Sequence, residues 1–232
     1  MAIVYLIPAP LDEESLQTIP PYILDAIKQC TVFFVENERT TRRYLKKLDK
    51  EIVIDNYEWF TIGKAEQEVK HQLIKKLKAK KTIGIISEAG CPGIADPGQA
   101  LVEVAHLQGA TVKPLVGPSS ILLALMASGL NGQQFSFVGY LPIDESQRKR
   151  KLHQLEELSA RMNATQVFIE TPYRNNQLLE TILKSCKPNT KICIAANLTA
   201  ANEFVQTKTV AEWKLKKPEL HKQPVIFCMM GY

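Results

Sequence analysis

Short apolar segments alternate with longer amphipathic segments along the first half of the chain. Short runs rich in β-branched and aromatic residues are typical of buried strands, and they are predicted at Ile3–Ile7, Thr31–Val35, Ile52–Ile54, Thr82–Ser87 and Thr111–Val116. Helices are predicted between them, at Pro20–Gln29, Thr40–Leu48, Lys64–Lys80 and Gln99–Leu107. Because strands that alternate with helices usually form a parallel sheet covered by helices, this half predicts an α/β lobe with a mostly parallel sheet.

The second half begins with an apolar helix and then changes its pattern. Leu122–Ala127 contains no polar residue, which predicts a helix buried on all sides, and Gly129 is suited to end it. Strands are predicted at Phe135–Tyr140, Gln166–Glu170, Lys191–Ala195, Phe204–Thr209 and Pro224–Met230, and helices at Glu145–Arg161 and Asn175–Lys184. Because little helix separates the last strands, this sheet is expected to be mixed. We therefore expect two α/β lobes, residues 1–116 and 117–232.

Composition and cysteine spacing narrow the class of protein. Hydrophobic residues make up 45% of the chain and charged residues 23%, as in an ordinary globular protein. No segment approaches the ~20 consecutive apolar residues that span a bilayer, so no membrane span is expected. The 5 cysteines show no C-x-x-C spacing, which favours reduced thiols and a cytoplasmic location. The 4 histidines are also dispersed, so no metal site is predicted.

The net charge of +5 is compatible with a polyanionic partner. Lysines and arginines cluster at Arg39–Lys50, Lys70–Lys81 and Arg148–Lys151. Solvated faces of amphipathic helices explain such clusters at least as well as nucleic-acid binding does. The charge alone therefore leaves the partner open.

The segment Gly84–Gly98 joins a predicted buried strand to a helix through a loop rich in glycine and proline. Asp96 is expected to cap the helix, with Pro97 in its first turn and Gln99 completing a capping box. Glu88–Ala95 has no such structural explanation. Glycine lets a backbone approach a ligand, and ligands bind beyond the carboxyl ends of parallel strands, so this loop predicts a ligand site; a tight connection without a ligand is the alternative. The dinucleotide and P-loop fingerprints are absent, so neither NAD nor ATP is indicated.

A second loop, Val116–Ser120, again joins a strand to a helix. It places the hydroxyls of Ser119 and Ser120 and free N–H groups at a helix N-terminus, where a carboxylate or a polar cofactor edge can bind. A role of either serine as a helix cap alone is the alternative.

In their order along the chain, these loops resemble the tetrapyrrole methylase family. More narrowly, they are similar to its ribosomal RNA small subunit methyltransferase I branch, which methylates a ribose 2′-hydroxyl. The similarity spans about Ile3 to Gly231 and is carried by Glu36, Arg39, Thr41, Arg42, Ser87–Pro92, Asp96–Gly98, Gly117–Ser119, Ser128–Leu130, Phe135, Gly139–Pro142 and Glu170–Arg174.

The resemblance implies a two-lobed fold, a homodimer, and S-adenosylmethionine bound in a cleft between the lobes. By position, the residues next to the cofactor are expected to be Pro8, Glu88, Ala89, Gly90, Pro92, Ser119, Ser120, Glu170, Thr171, Ala196, Pro224 and Val225. Much of this contact would come from main-chain groups.

The chain departs from the branch at several polar positions. Ala9–Asp12 replaces a Gly-Asn-Leu turn, Asn37 and Glu38 replace an acidic residue and a threonine, and Ala196–Ala200 replaces a charged pattern. A basic-acidic pair before the last strand has become His221–Pro224, and the chain ends at Tyr232 without the C-terminal segment typical of the branch. A shortened, divergent member is therefore expected.

A ribose hydroxyl must lose its proton, or be strongly polarised, during methyl transfer. Glu36, Glu88 and Asp96 are candidates for this step, and Arg39, Arg42 and Arg174 are candidate phosphate contacts. The structural alternatives are Asp96 as a cap, Glu36 as a partner of Arg39, and Arg174 as a surface charge. The catalytic set is thus left at the candidates Glu36, Arg39 and Asp96.

Three functions remain open from the sequence. The first is methylation of small-subunit rRNA, which the Glu36–Arg42 segment favours. The second is methylation of a small molecule or tetrapyrrole, and the third is a module that binds S-adenosylmethionine without catalysis.

Overall fold

The computed structural model describes residues 2–63 and 66–232, and the chain divides into two compact units, Met1–Ser119 and Ser120–Tyr232. Unit 1 contains the first five strands and unit 2 the last five. The α/β fold class predicted from the sequence is confirmed.

Unit 1 is built on a parallel sheet with the strand order β3-β2-β4-β1-β5. Its strands are β1 (Ile3–Ile7), β2 (Val32–Val35), β3 (Glu58–Thr61), β4 (Thr82–Ile86) and β5 (Thr111–Pro114). Its helices are α1 (Ile23–Gln29), α2 (Glu38–Leu48), α3 (Glu66–Lys78) and α4 (Gln99–Leu107), with short 3-10 turns at Leu16–Thr18 and Ile54–Asn56. Both faces of the sheet are covered: Val4 joins one apolar cluster, whereas Ile7 joins the other. This explains why these strands are apolar at nearly every position.

The third strand of unit 1 lies further along the chain than the sequence predicted. Ile54 starts a 3-10 turn and the strand is β3, so the prediction of a strand at Ile52–Ile54 was wrong. The reason is aromatic packing: Trp59 stacks on Phe33 with 5.1 Å between ring centroids, and Phe60 stacks on Phe34 at 4.9 Å. Such cross-strand pairs stabilise a strand whose outer residues are polar.

The predicted helix Lys64–Lys80 begins outside the described residues, because Lys64 and Ala65 are not among them. The described helix α3 ends at Lys78, and Lys80 adopts a left-handed φ of 55°.

Unit 2 has a mixed sheet, as the sequence predicted, and its strand order is β6-β7-β10-β8-β9. Its strands are β6 (Phe135–Tyr140), β7 (Thr165–Ile169), β8 (Lys191–Ala196), β9 (Phe204–Thr209) and β10 (Val225–Met230). β6 and β7 are parallel, whereas β10 is antiparallel to both β7 and β8. Its helices are α5 (Ser120–Ser128), α6 (Glu145–Met162), α7 (Asn175–Ser185) and α8 (Val210–Leu215).

Helix α5 is buried on one side only, so the prediction of burial on all sides was wrong. Ile121, Ala124 and Leu125 are buried, but Leu122 is 50% exposed and Met126 is 78% exposed. The helix packs on strands β8, β9 and β10, which cover a single face. Helix α8 was not predicted, although Thr209 and Glu212 form a full capping box at its start.

Candidate cofactor site

The carboxyl ends of the parallel strands of unit 1 carry most of the predicted site residues of this unit. Pro8 follows β1, Glu36 follows β2, and Ser87–Pro92 follows β4. Because the strands are parallel and β4 lies between β2 and β1, these loops leave the same edge of the sheet.

Gly90 lies at the tip of the turn after β4 and is bonded to the loop after β1. Its N–H donates to the carbonyl of Ala9 at 2.9 Å, and its own carbonyl accepts from the Ala9 N–H at 2.9 Å. The Ser87 hydroxyl donates to the same Gly90 carbonyl at 3.1 Å. Gly90 has a φ of +78°, a conformation that side-chain-bearing residues rarely adopt. The turn is therefore shaped by the main chain and needs glycine at this position.

The loop after β5 approaches the same turn closely. A Cβ on Gly117 would lie 2.1 Å from the Cβ of Pro8, so only glycine fits there. The Cys91 thiol donates to the carbonyl of Pro118 at 3.4 Å. Pro8, Gly90 and Gly117 thus form one cradle of main-chain groups. Ser119 follows in the same loop, and Ser120 is the first residue of α5.

Glu36 forms its bond with the turn after β4. Its Oε1 accepts from the main-chain N–H of Glu88 at 2.9 Å, so the suggested pairing of Glu36 with Arg39 was wrong. Burial raises the pKa of the Glu36 carboxyl, and the nearby negative charges of Asp96 and Glu88 raise it further, while the bond from Glu88 lowers it. A half-buried carboxylate with a raised pKa is suited to accept a proton.

Asp96 bonds to the part of the loop between Gly93 and Gly98 and does not cap helix α4. Its Oδ1 accepts from the N–H groups of Gly93 and Gly98, each at 2.7 Å. The residue before α4 is Gly98, which has no side-chain cap, so the predicted capping box was wrong. The N–H groups of Gly93 and Gly98 both precede the first residue of α4, Gln99. Asp96 therefore bonds to its own loop and not to the helix. Burial raises its pKa.

Two of the three candidate arginines are committed to partners within the protein. Arg42 pairs with Glu38 one helical turn away, and its guanidinium lies 5.3 Å from the centroid of the Trp59 ring. Arg174 pairs with Glu170, so its interpretation as a simple surface charge was wrong. Arg39 is exposed.

The predicted site residues of unit 2 meet at one edge of the mixed sheet. β10 runs antiparallel to β7 and β8, so its start lies beside their ends: Val225 pairs with Ala196, and Ile226 pairs with Ile169. Glu170 and Thr171 follow β7 directly, and Pro224 precedes β10. Ala196 and Val225 are buried, so the adjoining loops form the accessible part of this edge.

A buried ion pair fixes the loop after β7. The side chain of Glu170 is 1% exposed, and its Oε1 accepts from Arg174 Nη2 at 2.7 Å and from the Thr171 N–H at 2.7 Å. The side chain of Arg174 is 30% exposed. Oε1 of Glu170 is thereby bonded to groups of its own loop, which favours a positioning role.

Buried amides tie the remaining loops of this edge together. Asn175 Nδ2 donates to the Gln223 carbonyl at 2.7 Å, and Asn197 Nδ2 donates to Gln223 Oε1 at 2.7 Å. Asn175 Oδ1 is buried without a hydrogen-bond partner. Asn197 and Lys222 have left-handed φ values of 52° and 60°, and such strained residues concentrate at functional sites. Sequence reasoning missed these amides because isolated Asn and Gln residues carry no spacing signal.

The described residues contain neither a metal-binding cluster nor a membrane-spanning helix. In residues 2–63 and 66–232, no group of three or more His, Cys, Asp or Glu side chains is placed to hold a metal ion. In the same ranges, no helix combines the length and apolar character required to cross a membrane.

Comparison with known proteins gives one consistent family. Residues 4–214 match the family described as Tetrapyrrole (Corrin/Porphyrin) Methylases. A curated protein of Vibrio cholerae, named Ribosomal RNA small subunit methyltransferase I, is 30% identical over 99% of this chain and 77% of its own length.

Solved structures agree on the fold. A diphthine synthase matches with a TM-score of 0.71 at 13% identity, over 100% of this chain and 90% of its own. Uroporphyrin-III C-methyl transferase from Thermus thermophilus, complexed with S-adenyl homocysteine, matches with a TM-score of 0.58 at 16% identity, over 99% and 97% of the two chains.

Proposed function

The chain belongs to the tetrapyrrole methylase family of S-adenosylmethionine-dependent methyltransferases, and from this membership we propose that it methylates a ribose 2′-hydroxyl of small-subunit ribosomal RNA. The observation that carries the choice of acceptor is the similarity to the Vibrio cholerae protein, which extends over 99% of this chain. We also propose that the protein works in the cytoplasm, as a homodimer of two-lobed protomers divided near residues 116 and 117.

The residues at both sheet edges are suited to hold S-adenosylmethionine. In unit 1, the Gly90 turn and Gly117 offer a main-chain surface that a Cβ would disturb. In unit 2, Oδ1 of Asn175 is a buried acceptor without a hydrogen-bond partner. Hydrogen bonds join the loop that contains Thr171 to the loop that contains Pro224. We propose that Pro8, Glu88–Pro92, Ser119, Ser120, Glu170, Thr171, Ala196, Pro224 and Val225 surround the cofactor.

The bound cofactor supplies a methyl group on a sulfonium, and the protein has to orient and activate the acceptor. We propose Glu36 as the group that takes the proton of the ribose hydroxyl. Its bond from the Glu88 N–H holds the carboxylate in place, and burial favours proton uptake. Asp96 is less suited because its Oδ1 already accepts two main-chain N–H groups.

Methyl transfer from radiolabelled S-adenosylmethionine tests this function. The protein is incubated with naked small-subunit rRNA, assembled small subunits, and an extract of small molecules, and we expect the label in RNA, at a nucleotide whose 3′ phosphodiester bond becomes resistant to alkaline hydrolysis. Label in the extract alone would contradict the RNA acceptor, and tight cofactor binding without any transfer would contradict enzymatic activity.

Glu36→Gln tests the proton acceptor, because glutamine still accepts from the Glu88 N–H but takes no proton. We expect kcat to fall by roughly 100-fold or more, as for loss of a general base, with cofactor affinity unchanged. In the wild type, kcat should fall as pH drops through the raised pKa of Glu36, since the carboxylate is the active form. A variant that keeps the wild-type kcat and pH profile would remove Glu36 from the mechanism.

A further inference from the structure

Helix α2 and the loops after β1 and β4 enclose a pocket within unit 1 of about 180 Å3. Pro10 and Leu16 give it an apolar wall, and Thr40 and Glu88 give it a polar wall. Arg43 and Lys47 also line it, and they lie one helical turn apart on the same face of α2. The pocket thus combines an apolar surface, hydrogen-bonding groups and two cations, with the carboxylate of Glu13 beside the cations.

The size of the pocket limits what it can hold. Pockets for drug-sized ligands usually measure ~300–1,000 Å3, so this one takes a single ring-sized group. A nucleobase or a ribose meets that limit, whereas a corrin or porphyrin ring does not.

The two cations pair with exposed carboxylates, and Lys47 Nζ also donates to the main-chain carbonyl of Glu13 at 3.0 Å. Lys47 Nζ lies 2.8 Å from Glu14 Oε1, and Arg43 Nη1 lies 3.8 Å from Glu13 Oε2. The side chains of Glu13 and Glu14 are 64% and 85% exposed. Ion pairs this exposed are worth ~0–1 kcal/mol, so a phosphate can replace the glutamates at little cost.

The pocket shares a wall with the groups proposed for catalysis. Glu88 lines the pocket with its side chain, while its N–H is bonded to Glu36 Oε1 at 2.9 Å. Tyr44, another lining residue, donates its hydroxyl to the carbonyl of Pro8 at 2.9 Å. A group seated in the pocket therefore lies next to the proposed proton acceptor and to the main-chain cradle.

We propose that this pocket seats one unstacked nucleotide of a single-stranded RNA, with Arg43 and Lys47 binding its phosphate backbone. The base lies against Pro10 and Leu16, with its polar edge toward Thr40 and Glu88. Sequence-specific recognition of RNA commonly uses such splayed-out bases. The proposal rests on the RNA methyltransferase function, because an RNA acceptor supplies both a base and a phosphate, whereas a tetrapyrrole supplies neither.

Binding of a fluorescently labelled RNA as a function of salt tests the pocket. The probe is a single-stranded fragment of small-subunit rRNA that the wild-type protein labels in the transfer assay, with S-adenosylhomocysteine present. We expect the double variant R43A/K47A to bind it about 10-fold more weakly at low salt. Each phosphate contact on a single strand contributes ~0.7 to the slope of log K against log salt, so the slope should fall by up to ~1.4.

Two further variants separate this role from damage to the fold. Lys46→Ala, which removes a neighbouring lysine that does not line the pocket, should leave affinity and slope unchanged. Glu13→Gln removes one of the two competing carboxylates, the one that lies 3.8 Å from both Arg43 Nη1 and Lys47 Nζ. It should tighten RNA binding about 2- to 3-fold, a gain that misfolding does not produce. An unchanged slope in the double variant, or equal losses in K46A, would overturn the pocket while leaving RNA methylation intact. If the wild type labels no RNA, the proposed function itself fails first.

Discussion

The two units of this protein build their site edges in different ways. In unit 1 the edge consists of main-chain turns: Gly90 is bonded to Ala9 through both of its peptide groups, and Gly117 touches Pro8. In unit 2 the edge is held by buried polar side chains, namely the Glu170–Arg174 ion pair and the amides of Asn175, Asn197 and Gln223.

The sheet topologies explain this difference. All strands of unit 1 run in the same direction, so the loops after β1, β4 and β5 meet at one edge, where main-chain bonds between Ala9 and Gly90 join the first two loops. In unit 2 the edge combines the ends of β7 and β8 with the start of antiparallel β10. The loops there approach from opposite chain directions, and side-chain bonds hold them in register. We therefore expect that an added side chain disturbs the edge of unit 1, whereas a removed charge destabilises the edge of unit 2.

Removal of Arg174 should give the largest loss of stability. Arg174→Met leaves the carboxylate of Glu170, only 1% exposed, without its cation. Breaking a buried ion pair from one side costs about 3–5 kcal/mol, and the partial exposure of Arg174 places the expected value near ~3 kcal/mol. Urea unfolding at neutral pH measures it.

Lys149→Met is the matched control, because Lys149 pairs with Glu145 over the same i,i+4 spacing but at an exposed site. We expect a change of less than ~1 kcal/mol for this variant. Equal losses of stability in Arg174→Met and Lys149→Met would show that a buried ion pair does not stabilise the unit 2 edge more than an exposed one does.

Gly90→Val should mainly affect cofactor binding. Valine at φ +78° is strained by ~1–3 kcal/mol, and its Cβ would contact Leu11 and the Pro118 carbonyl at 3.5 Å. The turn has to shift to relieve this strain, which moves the peptide groups offered to the ligand. We expect S-adenosylmethionine to bind about 30-fold more weakly, equivalent to ~2 kcal/mol, as measured by calorimetry.

Gly63→Val serves as the control because a Cβ there has no atom within 4 Å. It should leave affinity unchanged. Unaltered binding in the Gly90 variant would contradict the main-chain cradle.

The same contrast explains which features could be predicted from the sequence. Buried parallel strands such as Ile3–Ile7 are nearly continuous apolar runs, and β1 was predicted with the observed limits. The polar-flanked β3 was missed because its stabilisation comes from stacking of Trp59 and Phe60 on another strand. Glycines and prolines marked the unit 1 loops because backbone shape requires those residue types.

Long-range polar contacts left no comparable signal. The bond from the Glu88 N–H to Glu36 joins residues 52 positions apart, and Asn175 reaches Gln223 across 48 positions. The preference of aspartate for helix N-caps also failed to predict the partners of Asp96, because its Oδ1 accepts from the N–H groups of Gly93 and Gly98 in the loop. Local patterns thus predicted which loops carry the candidate site, whereas the partners of its side chains depend on the folded chain.

Replacing a carboxylate by an amide in each unit should give the smallest effects, with opposite signs at neutral pH. In unit 2, Glu170→Gln removes a charge that is paired with Arg174, so stability should fall. In unit 1, Asp96→Asn removes a charge that burial disfavours, as the raised pKa of Asp96 shows, while Asn Oδ1 can still accept from Gly93 and Gly98. We therefore expect D96N to be as stable as the wild type at about pH 7, or slightly more stable, within ~1 kcal/mol.

The pH dependence of this small difference provides the sharper test. Because the pKa of Asp96 is higher in the folded than in the unfolded protein, the wild type loses stability as pH rises through the folded pKa and regains it as pH falls. The advantage of D96N should therefore shrink on going from about pH 7 to about pH 4, as followed by urea unfolding at both values. A D96N variant that loses more than ~1 kcal/mol at neutral pH would mean that the Asp96 charge stabilises its loop. Unit 1 would then depend on a buried charge as unit 2 does, and the distinction between the two edges would no longer hold.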